Sequence, residues 1–323
     1  MKCEYFMIYE WWHKISKAFI YLCLLTIMMI GFTQPCQAEI AFSNQIALRY
    51  NPLGLQNELY FGYKKKLFNV PKKNILFGKS YLWTGPLLRV TPQFSHIGGF
   101  IRTLPIAVLE LQASLVGVFG FSDAESVQSK SYFTSATKEA IAQTGSIIDN
   151  GWLGSLQARL QYKKDAIAVR STHLFRYFDI GGTSFSTMFY DQNFDLILPF
   201  EGWAYQMDND LLYADDNKAW VVGLRHTYAA SLSDQPTVTN TADKMNPVIP
   251  DLYNIHRVGP LVAWKFNYKP PSQQDKKYED KLKHIMYILS QWHVHHPLRT
   301  GNPMPTGVPY FAIAYVVSGG WLK

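Results

Sequence analysis

The chain has 323 residues, with 31 Lys and Arg against 24 Asp and Glu, 9 His and 3 Cys. Its charged fraction of 17% lies below the roughly 25% of an average soluble domain, and its aromatic fraction is 15%. This composition excludes a disordered chain, three cysteines exclude a disulfide-built miniprotein, and a mean hydropathy of −0.09 with a single long apolar run argues against a helical membrane protein.

The apolar run comes first. Residues 18–32 read AFIYLCLLTIMMIGF, fifteen residues without a charge, preceded by Lys14 and Lys17. A spanning helix needs roughly 20 such residues. Cys36 and Ala38 supply the small-x-small pattern of a secretory cleavage site. The expectation is a signal peptide over 1–38 and a single domain over 39–323, with an N-terminal anchor as the alternative. Cys3, Cys23 and Cys36 all fall in the removed segment, so the mature chain of 285 residues carries no thiol. Thiol catalysis and Cys-bound zinc are thereby excluded. The mature chain keeps 28 basic against 22 acidic residues, a net charge of +6 suited to an anionic lipid headgroup or solute. No nucleic-acid motif is visible, and nucleic acid is not an expected partner.

Beyond the leader the dominant signal is period two, the mark of strands with two unlike faces. In 152–163, Trp152, Leu156, Ala158, Leu160 and Tyr162 oppose Ser155, Gln157, Arg159, Gln161 and Lys163. In 256–268, Val258, Pro260, Val262, Trp264, Phe266 and Tyr268 oppose Arg257, Gly259, Lys265 and Asn267. The segments 190–198, 203–213 and 309–321 alternate in the same way. In chain order the predicted strands are 42–50, 55–66, 82–94, 104–118, 152–163, 166–178, 188–198, 203–213, 218–230, 256–268, 284–294 and 309–321. A short helix over 135–148 is predicted inside one connection.

Most of these strands are 9–15 residues long. Soluble strands cluster near five or six residues, whereas tilted bilayer-spanning strands need about 9–11. Trp83, Phe94, Trp152, Tyr190, Trp203, Tyr213, Tyr268 and Trp321 stand at strand ends, where interfacial girdles belong. The predicted fold is all-β: a closed antiparallel transmembrane β-barrel of about 12 strands, within a range of 10–14. A soluble β-sandwich or calycin-type barrel would also alternate. Strand length, the Trp- and Tyr-rich apolar face and export without cysteine favour the bacterial outer membrane. One conflict stands in this reading. The tight Lys164-Asp165 turn and the long 231–255 connection come out at the same end, whereas short turns and long loops should separate.

The segments FYDQNFDLILPFEGW (189–203), MDNDLLY (207–213), WVVGLRHTY (220–228), RVGPLVAWKF (257–266) and ILSQWHVHHPLRTGNPMPTGVPYFAIAYVVSG (288–319) resemble parts of an uncharacterised family of Gram-negative outer-membrane β-barrel proteins. The resemblance runs from about Asn44 to the C-terminus and rests on strand and turn patterns. It implies a barrel and an outer-membrane address, and it implies no activity or site residues. Many such barrels end on an aromatic residue, and this chain departs from that with Trp321-Leu322-Lys323.

The most specific polar constellation is acidic. Asp191 and Asp195 share one face of a predicted strand, and Asp208 and Asp210 share one face of the next. Arg170 and Arg176 lie on one flanking strand and Arg225 on the other. Confined charges need partners, so a lumen charge network is expected over these seven residues. Such a network either braces the wall or forms a selective constriction. His293, His295 and His296 form H-x-H-H at a strand end, with His293 and His295 on one face by alternation. No carboxylate completes them in sequence, so a polar cap is expected and no metal ligand is assigned. No serine sits in a G-x-S-x-G elbow, and Ser95-His96 and Thr172-His173 are adjacent pairs that point to opposite faces. No catalytic residue and no cofactor are assigned. Lys64, Lys65, Lys66, Lys72 and Lys73 suit a loop or headgroup contact, and Pro86 and Pro260 imply ladder irregularities. The functional reading is a pore or small-solute channel with a charged lumen, its partners being outer-membrane lipid and small solutes. The alternatives are a non-conducting structural or surface-interaction barrel and an outer-membrane hydrolase.

Overall fold

The computed structural model describes residues 38–323 apart from 52, 72–73, 93, 121–149, 181–187, 192, 234–253, 267, 269–281, 297–307 and 322–323. Residues 1–37 of the predicted signal peptide, the helix predicted over 135–148, Lys72 and Lys73 lie outside the described residues, whereas Ala38, the last residue of the predicted peptide, opens the first strand. Among the described residues fourteen strands are formed: β1 (Ala38–Tyr50), β2 (Gly54–Lys66), β3 (Tyr81–Val90), β4 (Phe94–Ile106), β5 (Leu109–Gly120), β6 (Gly151–Lys164), β7 (Ile167–Ile180), β8 (Met188–Asp191), β9 (Leu196–Pro199), β10 (Glu201–Tyr213), β11 (Trp220–Ser231), β12 (Asn254–Phe266), β13 (Lys283–His295) and β14 (Tyr310–Trp321). Twelve of them close one antiparallel barrel, sealed by β1 against β14, while β8 and β9 form a separate two-stranded hairpin.

The expected count of twelve wall strands is met, but two of its members change places. Phe94–Ile106 is a wall strand that alternation does not reveal. Its lumen-facing phase mixes His96 and Arg102 with Phe100 and Leu104, both buried, while its outer phase carries Ile97, so apolar residues fall on both faces and blur the alternation. Thr91 forms the tight turn that leads into it. Its amide donates to the Phe94 carbonyl at 2.9 Å, and its Oγ1 accepts from the Phe94 amide at 3.1 Å. Conversely, 188–198 is not a wall strand. Asp191 accepts the amides of Asn193 at 2.6 Å and Phe194 at 2.9 Å, and Asp195 takes a φ of 58°. Short acidic side chains stabilise such turns and tolerate the left-handed region. The chain therefore turns at 193–195 and pairs with itself.

The outer surface is apolar. Leu160, Tyr162, Val262, Trp264 and Phe266 are exposed on it, as are Ile46, Leu115, Val169, Leu211 and Leu224. Aromatics ring both ends: Tyr63, Tyr162, Tyr213 and Trp264 at one, Tyr50, Phe119, Trp152 and Trp292 at the other. Trp83 corrects the predicted girdle, because it points inward and packs edge-on against Phe100 at 5.1 Å. An apolar outside around a polar inside, with every wall strand paired, is what the bilayer demands of a spanning sheet.

Pro86 and Pro260 interrupt the ladder without shifting it. Pairing of β2 with β3 lapses between Tyr60↔Leu87 and Tyr63↔Thr84 and resumes in the same register. Pairing of β12 with β13 lapses likewise between Val258↔Trp292 and Leu261↔Leu289. Each proline follows a glycine whose missing side chain admits the neighbouring backbone. A Cβ on Gly85 would collide with the Phe61 carbonyl, and one on Gly259 with the Ser290 carbonyl. The true register shift of β12 on β13 lies elsewhere, between His256 and Arg257.

Candidate functional site

The lumen is lined by ion pairs set on the inward phase of consecutive strands. Asp210 is buried and held by two guanidinium groups from opposite sides: Arg170 of β7 at 2.5 Å and Arg225 of β11 at 2.7 Å. The register explains this, since Asp210 stands opposite Arg170 on one side and Arg225 on the other. Asp208 lies 3.9 Å from Arg225 and accepts the Thr227 hydroxyl at 2.7 Å. Thr227 in turn accepts from Gln291 of β13 at 3.0 Å.

The other three expected residues are placed differently. Asp191 and Asp195 sit on the hairpin. Asp191 caps its turn, as above. Arg176 of β7 is buried beneath the hairpin, its guanidinium 5.0 Å from the Phe194 ring centre. Asp195 faces the far wall, with His296 Nε2 at 3.3 Å and both His293 Nε2 and Arg257 Nη1 at 4.0 Å. A carboxylate thus reaches the histidines after all, from a segment about one hundred residues earlier in the chain. The pair on one face is His293 with His296. The register shift at His256 turns His295 outward, 6.3 Å from the His256 ring. Among the described residues, Asp195, His293 and His296 are the one such trio whose donor atoms all lie within 4.8 Å of one another. Two imidazoles and a carboxylate are a donor set that divalent transition metals accept. Arg257 beside the same carboxylate offers the competing role of an ion-paired clamp on the hairpin.

Several lumen residues escaped the sequence reading. Glu58 pairs with Arg89 at 2.6 Å, and Glu110 pairs with Arg159 at 2.8 Å while accepting the Tyr81 hydroxyl at 2.7 Å. Arg102 donates to Gln112 at 2.6 Å and stacks over Tyr60 and Trp83 at 4.6 and 4.9 Å. Glu58 and Glu110 are isolated acids on their own strands, so only cross-strand register could have joined them to arginines. At the turn end of β6, Lys163 pairs with Asp216.

The hairpin occupies the lumen at the other end. Phe194, Leu196 and Leu198 have no exposed surface, packed with inward residues Val116, Val118, Leu153, Phe178 and Ile255. Ala204 and Ala229, also fully buried, are the small wall residues that make room for it.

No protein-family model and no curated protein matches the chain. Solved structures similar to it include the NanC porin, at 7% identity and a TM-score of 0.37 over 86% of this chain and 98% of that one. LpxR from Salmonella typhimurium is similar at 11% identity and a TM-score of 0.36, over 86% of this chain and 99% of that one. The Pseudomonas putida toluene transporter TodX is similar at 9% identity and a TM-score of 0.30, over 90% of each chain. The chain itself has an even-stranded closed antiparallel barrel, an apolar belt between two aromatic rings and a polar, ion-paired interior. That is the construction of an outer-membrane β-barrel, and the chain is one.

Proposed function

We propose that this outer-membrane barrel is sealed in its resting state, the β8–β9 hairpin acting as a plug and the lumen charges as wall braces. The observation that carries this is the zero exposure of Phe194, Leu196 and Leu198 inside the barrel. Apolar side chains packed that closely leave no aqueous path beside them. Twelve strands lie between the roughly eight whose interior side chains fill and the sixteen of a wide channel, so lumen contents decide conduction. The partners of such a barrel are the lipids against its belt. Kinship with the uncharacterised family named by the strand and turn segments belongs to this proposal and rests on those segments.

Planar-bilayer recording tests it. The intact barrel should be silent, and removal of residues 188–199 should give stepwise conductance. Conductance in the intact protein whose ion preference changes on Asp210→Asn would replace the plug by a charged pore, with small solutes as its cargo.

A further inference from the structure

The hairpin leaves the wall beside β10, yet its turn meets β12 and β13, two and three places further round the barrel. Asp195 stands at that turn, fully buried and at a φ of 58°, a left-handed backbone that Asp and Asn tolerate better than other side chains. Its Oδ2 lies 3.3 Å from His296 Nε2 and 4.0 Å from His293 Nε2. The two imidazole rings are perpendicular, at 89°, with centres 4.9 Å apart, and each brings its Nε2 towards the same oxygen. Asp195 and His296 have no exposed surface.

Apolar packing of Phe194, Leu196 and Leu198 seats the hairpin without this cluster. A carboxylate and two imidazoles taken out of water are costly unless something repays them. The 4.0 Å separation is too long for a direct hydrogen bond, but it suits donors that share an ion. All three donor atoms lie within 4.8 Å of one another. In a tetrahedral site with ligand bonds of about 2.0–2.2 Å, neighbouring donors stand roughly 3.4 Å apart. The Asp195–His296 separation matches that already, and His293 needs to close by only about half an ångström.

The donor types narrow the ion. Calcium takes six to eight oxygens and magnesium a near-ideal octahedron of them, whereas this cluster offers one carboxylate and two nitrogens. Imidazole suits zinc, copper and nickel, and three protein ligands with a fourth position open are a common zinc arrangement. Arg257 Nη1 lies 4.0 Å from the same oxygen, and its guanidinium rests 4.1 Å from the centre of the Tyr310 ring, whose face favours a cation. Its charge opposes a second cation at Asp195, so Arg257 lowers the affinity of the cluster and supplies no ligand.

We infer that Asp195, His293 and His296 bind one divalent transition ion of the zinc class, which pins the β8–β9 hairpin to the end of β13. His296 is the first residue beyond β13, at the end of the barrel from which the hairpin is hung. The ion is therefore taken up at that mouth and enclosed as the hairpin seats. Binding of the ion does not depend on conduction, whereas its role as a lock rests on the plug reading.

The test uses the barrel purified in detergent, stripped with a chelator, its fold verified by heat-modifiable electrophoretic mobility. Titration with Zn²⁺ alone should show one ion bound per chain. Co²⁺ in its place should give the intense visible absorption of a four-coordinate ion, a readout that needs no variant to fold; the pale spectrum of a six-coordinate ion overturns the assignment. His296→Ala and Asp195→Asn should each weaken Zn²⁺ binding by about 100-fold or more, and Asn keeps the left-handed turn. Arg257→Gln should tighten it on the order of tenfold, and no tightening would place the ion elsewhere. His226 and His256, whose rings lie 5.5 Å apart on the outer wall, are the control. Loss of binding in His256→Ala but not in His296→Ala overturns the site. Zn²⁺ at 100 times its Kd should raise the thermal midpoint of the wild-type barrel by about 5 °C and leave that of Asp195→Asn unmoved; equal shifts overturn the pinning role. Planar-bilayer recording separates the two readings. Conductance from the zinc-loaded intact barrel removes the plug, and the lock with it, while the bound ion stands. A silent barrel that takes up no Zn²⁺ keeps the plug and overturns the site.

Discussion

Asp210 accepts from Arg170 and Arg225 at once, and its side chain is fully buried while theirs keep 26% and 20% exposure. The acid is therefore the member whose loss the lumen can least absorb. Asp210→Asn would leave two guanidinium groups with Asp208 as the remaining carboxylate, 3.9 Å from Arg225. Breaking a buried pair in this way costs about 3–5 kcal/mol. Arg225→Gln leaves the Arg170–Asp210 pair standing and should cost less. The double variant should be milder than the sum of the two single changes, as neighbours sharing a partner do not add. Urea unfolding of the detergent-folded barrel checks all three, and strict additivity would mean that the two side chains act independently. Part of this geometry was legible beforehand. Asp208, Asp210, Arg170 and Arg225 lie on the polar phase of strands that exist, so alternation groups them. The partner of each is set by cross-strand register, which no single strand reveals.

At the scale of the element, the hairpin and β4 show what period two can and cannot distinguish. Alternation over 190–198 is genuine, but two four-residue strands around a turn produce it as readily as one long strand. Asp191-x-Asn193 is a turn signal embedded in that pattern, and its two accepted amides decide the outcome. Strand β4 failed in the opposite sense, since Phe100 and Leu104, facing an apolar patch inside the barrel, interrupt its polar face. Both surprises have one cause: the lumen holds its own hydrophobic cluster of Trp83, Leu87, Phe100, Phe178 and the hairpin side chains. An apolar residue in this barrel can therefore face lipid or the plug, with different energetics. Leu196 packs from all sides with no exposed surface, whereas Leu224 is 54% exposed on the belt. Leu196→Ala should cost about 2–5 kcal/mol, the range for emptying a packed site. Leu224→Ala should cost clearly less, because lipid or detergent refills the space. Thermal unfolding of the two variants compares them directly, and equal costs would mean that the hairpin is loosely seated.

For the whole molecule, removing one false strand resolves the conflict between the Asp165 turn and the connection after Ser231. Between the Asp165 turn and the connection after Ser231 the chain crosses the barrel three times, by β7, β10 and β11, so the two lie at opposite ends. With 188–198 counted as a wall strand there would be four crossings, and the same two features would coincide. The corrected path gathers the 121–150, 181–200, 232–253 and 296–309 connections at one end. The two-residue turns 107–108 and 165–166, the longer 67–80 and 267–282 connections and both ends of the barrel domain lie at the other, and the tight 51–53 and 91–93 connections join the first. Long loops face outward and short turns face the periplasm in such barrels, and the four connections at the hairpin end include the 121–150 connection, the longest between wall strands, so the expected entry of the hairpin is from the cell exterior. The sequence helps to test this, since cysteine occurs only at 3, 23 and 36, all before the first strand. A single cysteine can therefore be placed in the barrel as a unique reporter there. In intact cells a membrane-impermeant maleimide should label Ser233→Cys, at the long-loop end, and spare Asp165→Cys until the outer membrane is permeabilised. Labelling at 165 with protection at 233 would invert the barrel. Equal labelling of both in intact cells would mean that the chain does not separate two compartments, and the membrane-spanning reading would fall with it.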